Sequence, residues 1–194
     1  MEMIKTLTNF GDLAVLLPLT AIVAVWLVTV RQPRVLAWWL AAVALCIGST
    51  ALLKIYFFVC PPAAALHSPS GHTSFSTLVY GAVTLAIVTA VTGWKRVAVL
   101  VSGVAFIVAI GVSRVIVEAH SVAEVVVGSM IGVTALGLFA SQFWPRRPAE
   151  PRLRALLIAS VTMMVVLNGQ DLRAEDMLHA IGIYLNHAGM ACFF

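Results

Sequence analysis

Long apolar segments separated by short polar loops fill the first three quarters of the chain. Five of them approach the about 20 apolar residues that a helix needs to span a bilayer. Their apolar residues are continuous and do not alternate with polar ones, as membrane β-strands would require. Backbone groups inside hydrocarbon must bond within their own segment, which favours helices. The pattern predicts five spans, at Leu13–Val30, Val35–Val59, His72–Thr92, Val97–Val117 and Val122–Trp144.

The chain changes character after these spans. A basic loop with three prolines leads to an apolar stretch, Ala155–Leu167, that is short for a span. The remaining residues mix polar and apolar positions near helical spacing, which is typical of a helix at the membrane surface. We predict a five-span membrane core at 1–144, a basic cytoplasmic loop at 145–154, and a short sixth span plus an interfacial C-terminal helix at 155–194. The fold class is an all-α, polytopic transmembrane helical bundle of about six spans.

Composition agrees with a membrane environment. Apolar residues make up 61% of the chain and charged residues 10%, whereas soluble domains have roughly 45–50% and about 25%. A water-soluble globule is thereby excluded. The net charge of +4 indicates no nucleic-acid partner, because the basic residues lie in short clusters between apolar segments and form no basic face.

The distribution of Lys and Arg among the loops predicts the orientation. The loops at 60–71 and 118–121 contain neither residue, whereas the loops on the other side of the bundle contain both types. Positively charged loops stay in the cytoplasm. We therefore expect a multi-pass protein of the cytoplasmic membrane, with 60–71 and 118–121 on the periplasmic or extracellular side. The basic loop residues are Arg31, Arg34, Lys95, Arg96, Arg146, Arg147, Arg152 and Arg154.

The cysteines indicate neither a metal centre nor a disulfide framework. Cys46, Cys60 and Cys192 are far apart and lack the spacing of metal ligands. No other cluster resembles a metal cage. We therefore expect no metal and no other cofactor.

Polar residues that are costly inside a membrane gather at the outer end of the predicted bundle. Lys and Arg bind phosphate, and a Ser-Gly pair at a helix start offers N–H groups to an anion. Two histidines can act as nucleophile and general acid, and a carboxylate one helical turn after a histidine can orient its ring. These residue types together suit phosphoryl transfer. The residues are Lys54, Ser70, Gly71, His72, Ser113, Arg114, His120 and Glu124.

These positions resemble the three sequence blocks of the type 2 phosphatidic acid phosphatase family. The second block, Pro-Ser-Gly-His, is complete at 69–72. The third block is Ser-Arg, five residues, His, three residues and Asp, and it is present at 113–124 with Glu124 in place of the Asp. The first block is Lys, six residues and Arg-Pro; it keeps Lys54 and the proline but has Pro61 in place of the Arg.

The resemblance implies a phosphohistidine mechanism without a metal. By analogy with the family, His120 attacks phosphorus, His72 protonates the leaving oxygen and Glu124 orients His120. The implied substrates are membrane lipids that carry a phosphate or diphosphate, including phosphatidate, phosphatidylglycerol phosphate and polyprenyl diphosphates such as undecaprenyl diphosphate. The implied phosphate-binding residues are Lys54, Ser70, Gly71 and Arg114, with Ser113 and His67 as further candidates.

Two departures from the family pattern leave alternatives open. Without the Arg at position 61 one bidentate phosphate contact is lost, so either another group, with His67 the nearest, compensates or the substrate carries less charge. Glu124 also completes a Ser-x-x-Glu capping box with Ser121, a structural role that is compatible with orienting His120.

Other functions share the same residues. A phosphotransferase would pass the phosphoryl group from His120 to an acceptor other than water, and a non-catalytic lipid-phosphate-binding protein would retain the site without turnover. A vanadate-dependent haloperoxidase has the same phosphate-site pattern but fits poorly with so apolar a chain. The sequence indicates neither the particular lipid nor the oligomeric state.

Overall fold

The computed structural model describes residues 2–60, 68–144 and 153–170, together with Leu172, Leu178, Ala180, Ile181, Ile183 and Tyr184. In this part of the chain every regular element is helical, and it contains no strand. The helices are α1 (Glu2–Asn9), α2 (Leu13–Thr29), α3 (Pro33–Val59), α4 (Gly71–Ala90), α5 (Trp94–Ile116), α6 (Val122–Phe143) and α7 (Leu153–Leu167).

Within the described residues, five helical stretches are long and apolar enough to cross a membrane, and a sixth is shorter. The five are Glu2–Thr29, in which α2 follows α1, and then α3, α4, α5 and α6. The shorter apolar helix is α7, with 15 residues. The prediction of an all-α polytopic bundle of about six spans is therefore confirmed. The sequence analysis missed α1, which precedes the first predicted span.

Local sequence explains where two of the spans begin. α3 starts at Pro33, two residues before the predicted start, because proline fits the first turn of a helix, where no N–H is needed. α5 starts at Trp94, three residues before Val97. The preceding Gly93 has a positive φ of 59°, a conformation that glycine adopts without steric cost. The loop therefore ends before Lys95 and Arg96, and these two residues belong to the first turn of α5.

α4 lies at the centre of the bundle, against α2, α3, α5 and α6. Its first half carries buried hydroxyl side chains, most of which form hydrogen bonds within the protein. The Thr77 hydroxyl donates to the Thr73 carbonyl at 2.7 Å, and the hydroxyls of Ser74 and Thr50 lie 3.1 Å apart. Its second half packs into the hydrophobic core. The polar start of α4 is therefore held inside the protein by its neighbours.

Two glycines allow α6 to approach α4 closely. Gly128 and Gly132 are four residues apart on one face of α6, the small-xxx-small arrangement that brings membrane helices together. A Cβ atom at Gly128 would lie 2.5 Å from the carbonyl oxygen of Ser70, and one at Gly132 would collide with the carbonyl oxygen of Ser74. The backbones of the two helices are therefore almost in contact along the first turns of α4.

The last described helix, α7, packs against α2 and begins two residues before the predicted sixth span. Residues 145–152 and most of the predicted interfacial helix lie outside the described residues, so the division into 1–144, 145–154 and 155–194 stays a prediction. Beyond α7, the Leu172 N–H donates to Asp12 Oδ1 at 3.3 Å. The chain therefore returns to the start of α2.

The two described cysteines differ in their bonding. Cys60, the residue after α3, is disulfide-bonded, a bond that the sequence analysis did not predict. Cys46 is buried and free, and the described residues do not include the partner sulfur of Cys60. Sequence spacing carries no information on which distant residues a membrane bundle brings together.

Candidate active site

The candidate residues lie at the end of the bundle where three helices begin, and each of these helices has a side-chain cap. Asp12, Ser70 and Ser121 are the N-caps of α2, α4 and α6, and each side chain accepts a hydrogen bond from an N–H in the first turn. Short polar caps of this kind satisfy donors that a helix leaves unpaired. The ends of α3 and α5 reach the same region, because Lys54 and Ser113 contact residues of α4 and α1 there. Five helices therefore contribute to one polar region.

His120 and Glu124 form a close pair at the start of α6. His120 Nδ1 lies 3.0 Å from Glu124 Oε2, and both side chains are more than 90% buried. The backbone N–H of His120 also donates a hydrogen bond to the Arg114 carbonyl at 3.3 Å. A carboxylate at this distance fixes the orientation of an imidazole ring and favours positive charge on it. The expected His-Glu geometry is therefore present.

Glu124 also joins three chain segments. Its Oε2 accepts a hydrogen bond from the Ser121 N–H at 2.9 Å, which completes the capping box. Its Oε1 accepts from the Ser68 N–H at 2.9 Å, and its carbonyl oxygen accepts from the Ser70 N–H at 3.1 Å. Glu124 therefore completes the capping box and contacts the His120 ring at the same time. The residues that precede α4 are fixed directly to the start of α6.

A cavity of about 280 Å³ opens beside this network. Lys54 and His72 line it, together with Gly71 at the start of α4, and most of the rest of its wall is apolar. Lys54 is only 3% exposed, and its Cε would lie 3.8 Å from a Cβ at Gly71. A buried cation beside a helix N-terminus is an arrangement that can bind an anion. The remaining lining residues are Asp12, Leu13, Cys46, Ile47, Thr50, Ala51, Ser74, Phe75, Leu172 and Leu178.

Not every predicted residue lies on the cavity wall. Ser70 is fully buried and accepts from the Thr73 hydroxyl at 2.9 Å. Ser113 is 1% exposed; its hydroxyl donates to the Ile110 carbonyl at 2.6 Å and lies 2.7 Å from that of Thr8, a contact that connects α5 to α1.

The predicted residues thus fall into two groups. Lys54, Gly71 and His72 share the cavity, whereas His120 and Glu124 belong to the adjacent network with Ser70. The backbone of Arg114 also belongs to that network. The first residues of α4 connect the two groups. His67 and Pro61 lie outside the described residues.

The structure adds one charged residue that the sequence analysis did not consider. Asp12 Oδ2 lies 3.6 Å from His72 Nε2, and the two side chains are 11% and 20% exposed. Asp12 was missed because it is 60 positions away from His72 in the chain. A carboxylate directly before the first apolar run was the only available signal, and it is shared with every helix cap.

The comparisons with known proteins give one family. The family model described as the PAP2 superfamily matches residues 57–148. This range includes the second and third sequence blocks and confirms the resemblance to the type 2 phosphatidic acid phosphatases. No curated protein and no solved structure shows a significant match to the chain.

Proposed function

We propose that the protein removes phosphate from a membrane lipid phosphate or diphosphate. The PAP2 superfamily model, whose members are phosphatases, matches residues 57–148. This match supports a phosphatase acting on a phosphate substrate. The proposal that the substrate is a lipid rests on the cavity, whose largely apolar wall contains Lys54 and His72. A lipid phosphate has this same combination of a charged head and an apolar body.

The proposed chemistry begins at His120. Its Nδ1 faces Glu124 Oε2 at 3.0 Å, so Nε2 is the nitrogen that attacks phosphorus. The bond from phosphorus to the lipid oxygen breaks as the nitrogen–phosphorus bond forms, and His72 gives its proton to that oxygen. Water then cleaves the phosphohistidine and releases inorganic phosphate. The Glu124 carboxylate stabilises the positive charge that develops on the imidazole of His120.

The phosphate is held by cations and by the start of α4. We assign this role to Lys54, Ser70, Gly71 and Arg114. The N–H groups of the first turn of α4 and the positive end of its helix dipole stabilise the negative oxygens of the transferring group. Pro61 removes a bidentate cation that the family pattern has in this clamp, and we propose that the buried Lys54 carries a correspondingly larger share of phosphate binding.

We place the active site on the outer face of the cytoplasmic membrane. The support is the segregation of charge in the sequence together with the helix directions. The candidate residues lie at the starts of α2, α4 and α6 and at the ends of α3 and α5. Arg31 and Lys95 lie at the opposite ends of these helices, and positively charged loops stay in the cytoplasm.

Phosphate release by the detergent-purified protein tests the proposal. A panel of phosphatidate, phosphatidylglycerol phosphate and polyprenyl diphosphates is compared for the wild type, His120→Ala and a control, Glu118→Gln, that alters an exposed carboxylate two residues away. We expect release by the wild type and the control and none by His120→Ala. Absence of release from every lipid would favour a binding protein. Release that requires a second lipid as acceptor would favour the phosphotransferase.

A further inference from the structure

We propose that Asp12 is a positioning residue for His72 and supports its protonation of the leaving oxygen; this rests on the function proposed above. Asp12 precedes the first span and lies outside all three sequence blocks of the family pattern. It caps α2 and reaches the cavity wall beside His72. The 3.6 Å between Asp12 Oδ2 and His72 Nε2 is an ion-pair contact, longer than a direct hydrogen bond.

The Asp12 carboxylate is held in a fixed orientation. Its Oδ1 accepts hydrogen bonds from the Ala14 N–H at 2.8 Å and from the Leu172 N–H at 3.3 Å. Both bonds use the same oxygen, so Oδ2 is the oxygen directed at the imidazole of His72. A carboxylate that is tied down by its own backbone contacts can orient a neighbouring ring at little entropic cost.

The backbone around Asp12 is shaped to allow this approach. A Cβ atom at the preceding Gly11 would lie 3.2 Å from His72 Cδ2, 3.2 Å from Ser76 Oγ and 2.9 Å from a methyl group of Ile110. Any side chain at Gly11 would therefore require either these three side chains or the turn between α1 and α2 to shift. The absence of a side chain there lets the turn pack directly against the ring of His72.

The location of the pair gives it a chemical role. Among the described residues that line the cavity, Asp12, Lys54 and His72 are those with ionisable head groups besides the buried thiol of Cys46. The phosphate needs the positive charge of Lys54, and a carboxylate directly against the phosphate would repel it. With Asp12 against the imidazole instead, its carboxylate orients the ring that has to donate the proton.

A cap alone would also explain an aspartate at this position, and Asp12→Asn separates the two roles. Asparagine caps helices about as well as aspartate and keeps an oxygen for the Ala14 N–H, so α2 should form normally. It replaces Oδ2, the oxygen that faces His72, with an uncharged amide NH2 group. The control variant is Glu2→Gln, which removes a carboxylate that is more than 90% exposed on α1 and does not line the cavity.

The decisive measurement uses two amphiphilic phosphate esters with the same tail, one with an alkanol and one with a nitrophenol as leaving group. The alkoxide needs a proton as it leaves and the nitrophenolate does not. Asp12→Asn should therefore lower kcat/KM for the alkyl ester by about 10- to 100-fold, a part of the about 10²–10⁴-fold that general acid catalysis supplies. The loss for the nitrophenyl ester should be below about 3-fold, since a proton donor contributes little there. Glu2→Gln should match the wild type on both esters.

A double-mutant cycle completes the test. In a His72→Ala background, Asp12→Asn should produce no further loss on the alkyl ester, because its effect passes through His72. Equal losses on the two esters, or an undiminished loss in the His72→Ala background, would overturn the inference and leave the phosphatase intact. Failure of the wild type to release phosphate from either ester would instead contradict the proposed function.

Discussion

The close contact between α6 and α4 leads to a prediction for Gly128→Ala. The new Cβ would lie 2.5 Å from the carbonyl oxygen of Ser70. Because both partners belong to helix backbones, neither can rotate away, and the start of α4 has to move by about 0.5 Å or more to reach a separation of 3.0 Å. This movement displaces the Ser70-Gly71 segment that we assign to phosphate binding.

The expected magnitudes differ for stability and for activity. Overpacking costs about 1–3 kcal/mol, and replacing a helical glycine by alanine returns about 1 kcal/mol. The net destabilisation is therefore about 0–2 kcal/mol, a shift in Tm of at most about 8 °C for a chain of this size. A displacement of about 1 Å in a catalytic site can cost about 100-fold in rate. We expect kcat/KM to fall by about 10- to 100-fold in a protein that still folds.

Gly137→Ala is the matched control. It lies on the same helix, and a Cβ there would meet nothing within 4 Å. It should raise Tm slightly through helix propensity and leave kcat/KM unchanged. Both variants are purified in detergent and compared for Tm and for phosphate release. If Gly128→Ala behaves like Gly137→Ala in both measurements, the spacing of α4 and α6 does not position the phosphate site.

Four further predictions follow from the site and the loops. Glu124→Gln should lower kcat by about 10²–10⁴-fold, by analogy with other misoriented catalytic histidines. It should also lower Tm, because both carboxylate oxygens accept backbone N–H bonds and glutamine has one acceptor oxygen. Glu124→Asp should keep substantial activity, and near-wild-type kcat in the Gln variant would leave Glu124 a structural cap. Activity should survive EDTA and be inhibited by vanadate, which resembles the transition state; full loss in EDTA that magnesium or zinc reverses would contradict the mechanism. Pro61→Arg should tighten vanadate binding, and unchanged binding by a normally folded variant would remove this explanation of the missing Arg. In a background that lacks the free Cys46 and keeps the Cys60 disulfide, an impermeant reagent should label Ala119→Cys, at an exposed position, and not Lys95→Cys in intact cells, and the reverse pattern would invert the orientation.

The sequence predicted the helices well because a bilayer imposes a strong and simple rule. Backbone groups in hydrocarbon have to bond within their own helix, so the length of each apolar run determines the span. The starts of α4 and α6 were also accessible, because Ser70 and Ser121 are cap residues that directly precede their helices. α1 was missed because only some of its residues are apolar, as in a helix that is not surrounded by lipid on all sides.

The candidate site remains a prediction as a set of functional residues, and the sequence did not predict its geometry. Sequence spacing predicted that Glu124 would reach His120. The 3.0 Å contact arises at the capping box, because His120 precedes the N-cap Ser121 and is not part of α6. Contacts between distant segments, such as that of Asp12 with His72, depend on how helices pack, and no local pattern encodes them. The Gly128–Gly132 pair was a readable signal of close packing, although it did not identify α4 as its partner.

The position of Glu124 in its helix explains how one side chain can serve the cap and the histidine together. As the third residue of α6, it directs its carboxylate back towards the helix start, where a capping box requires it. His120 immediately precedes the cap residue Ser121, so its ring lies where the returning carboxylate arrives. The same rotamer therefore satisfies both contacts, and the other oxygen remains available for the Ser68 N–H. Capping boxes use Glu or Gln at this position, because a side chain one methylene shorter reaches the cap N–H less readily. A glutamate where the family pattern has aspartate is thus the residue expected where the carboxylate orients His120 and also fastens the residues before α4 to the start of α6.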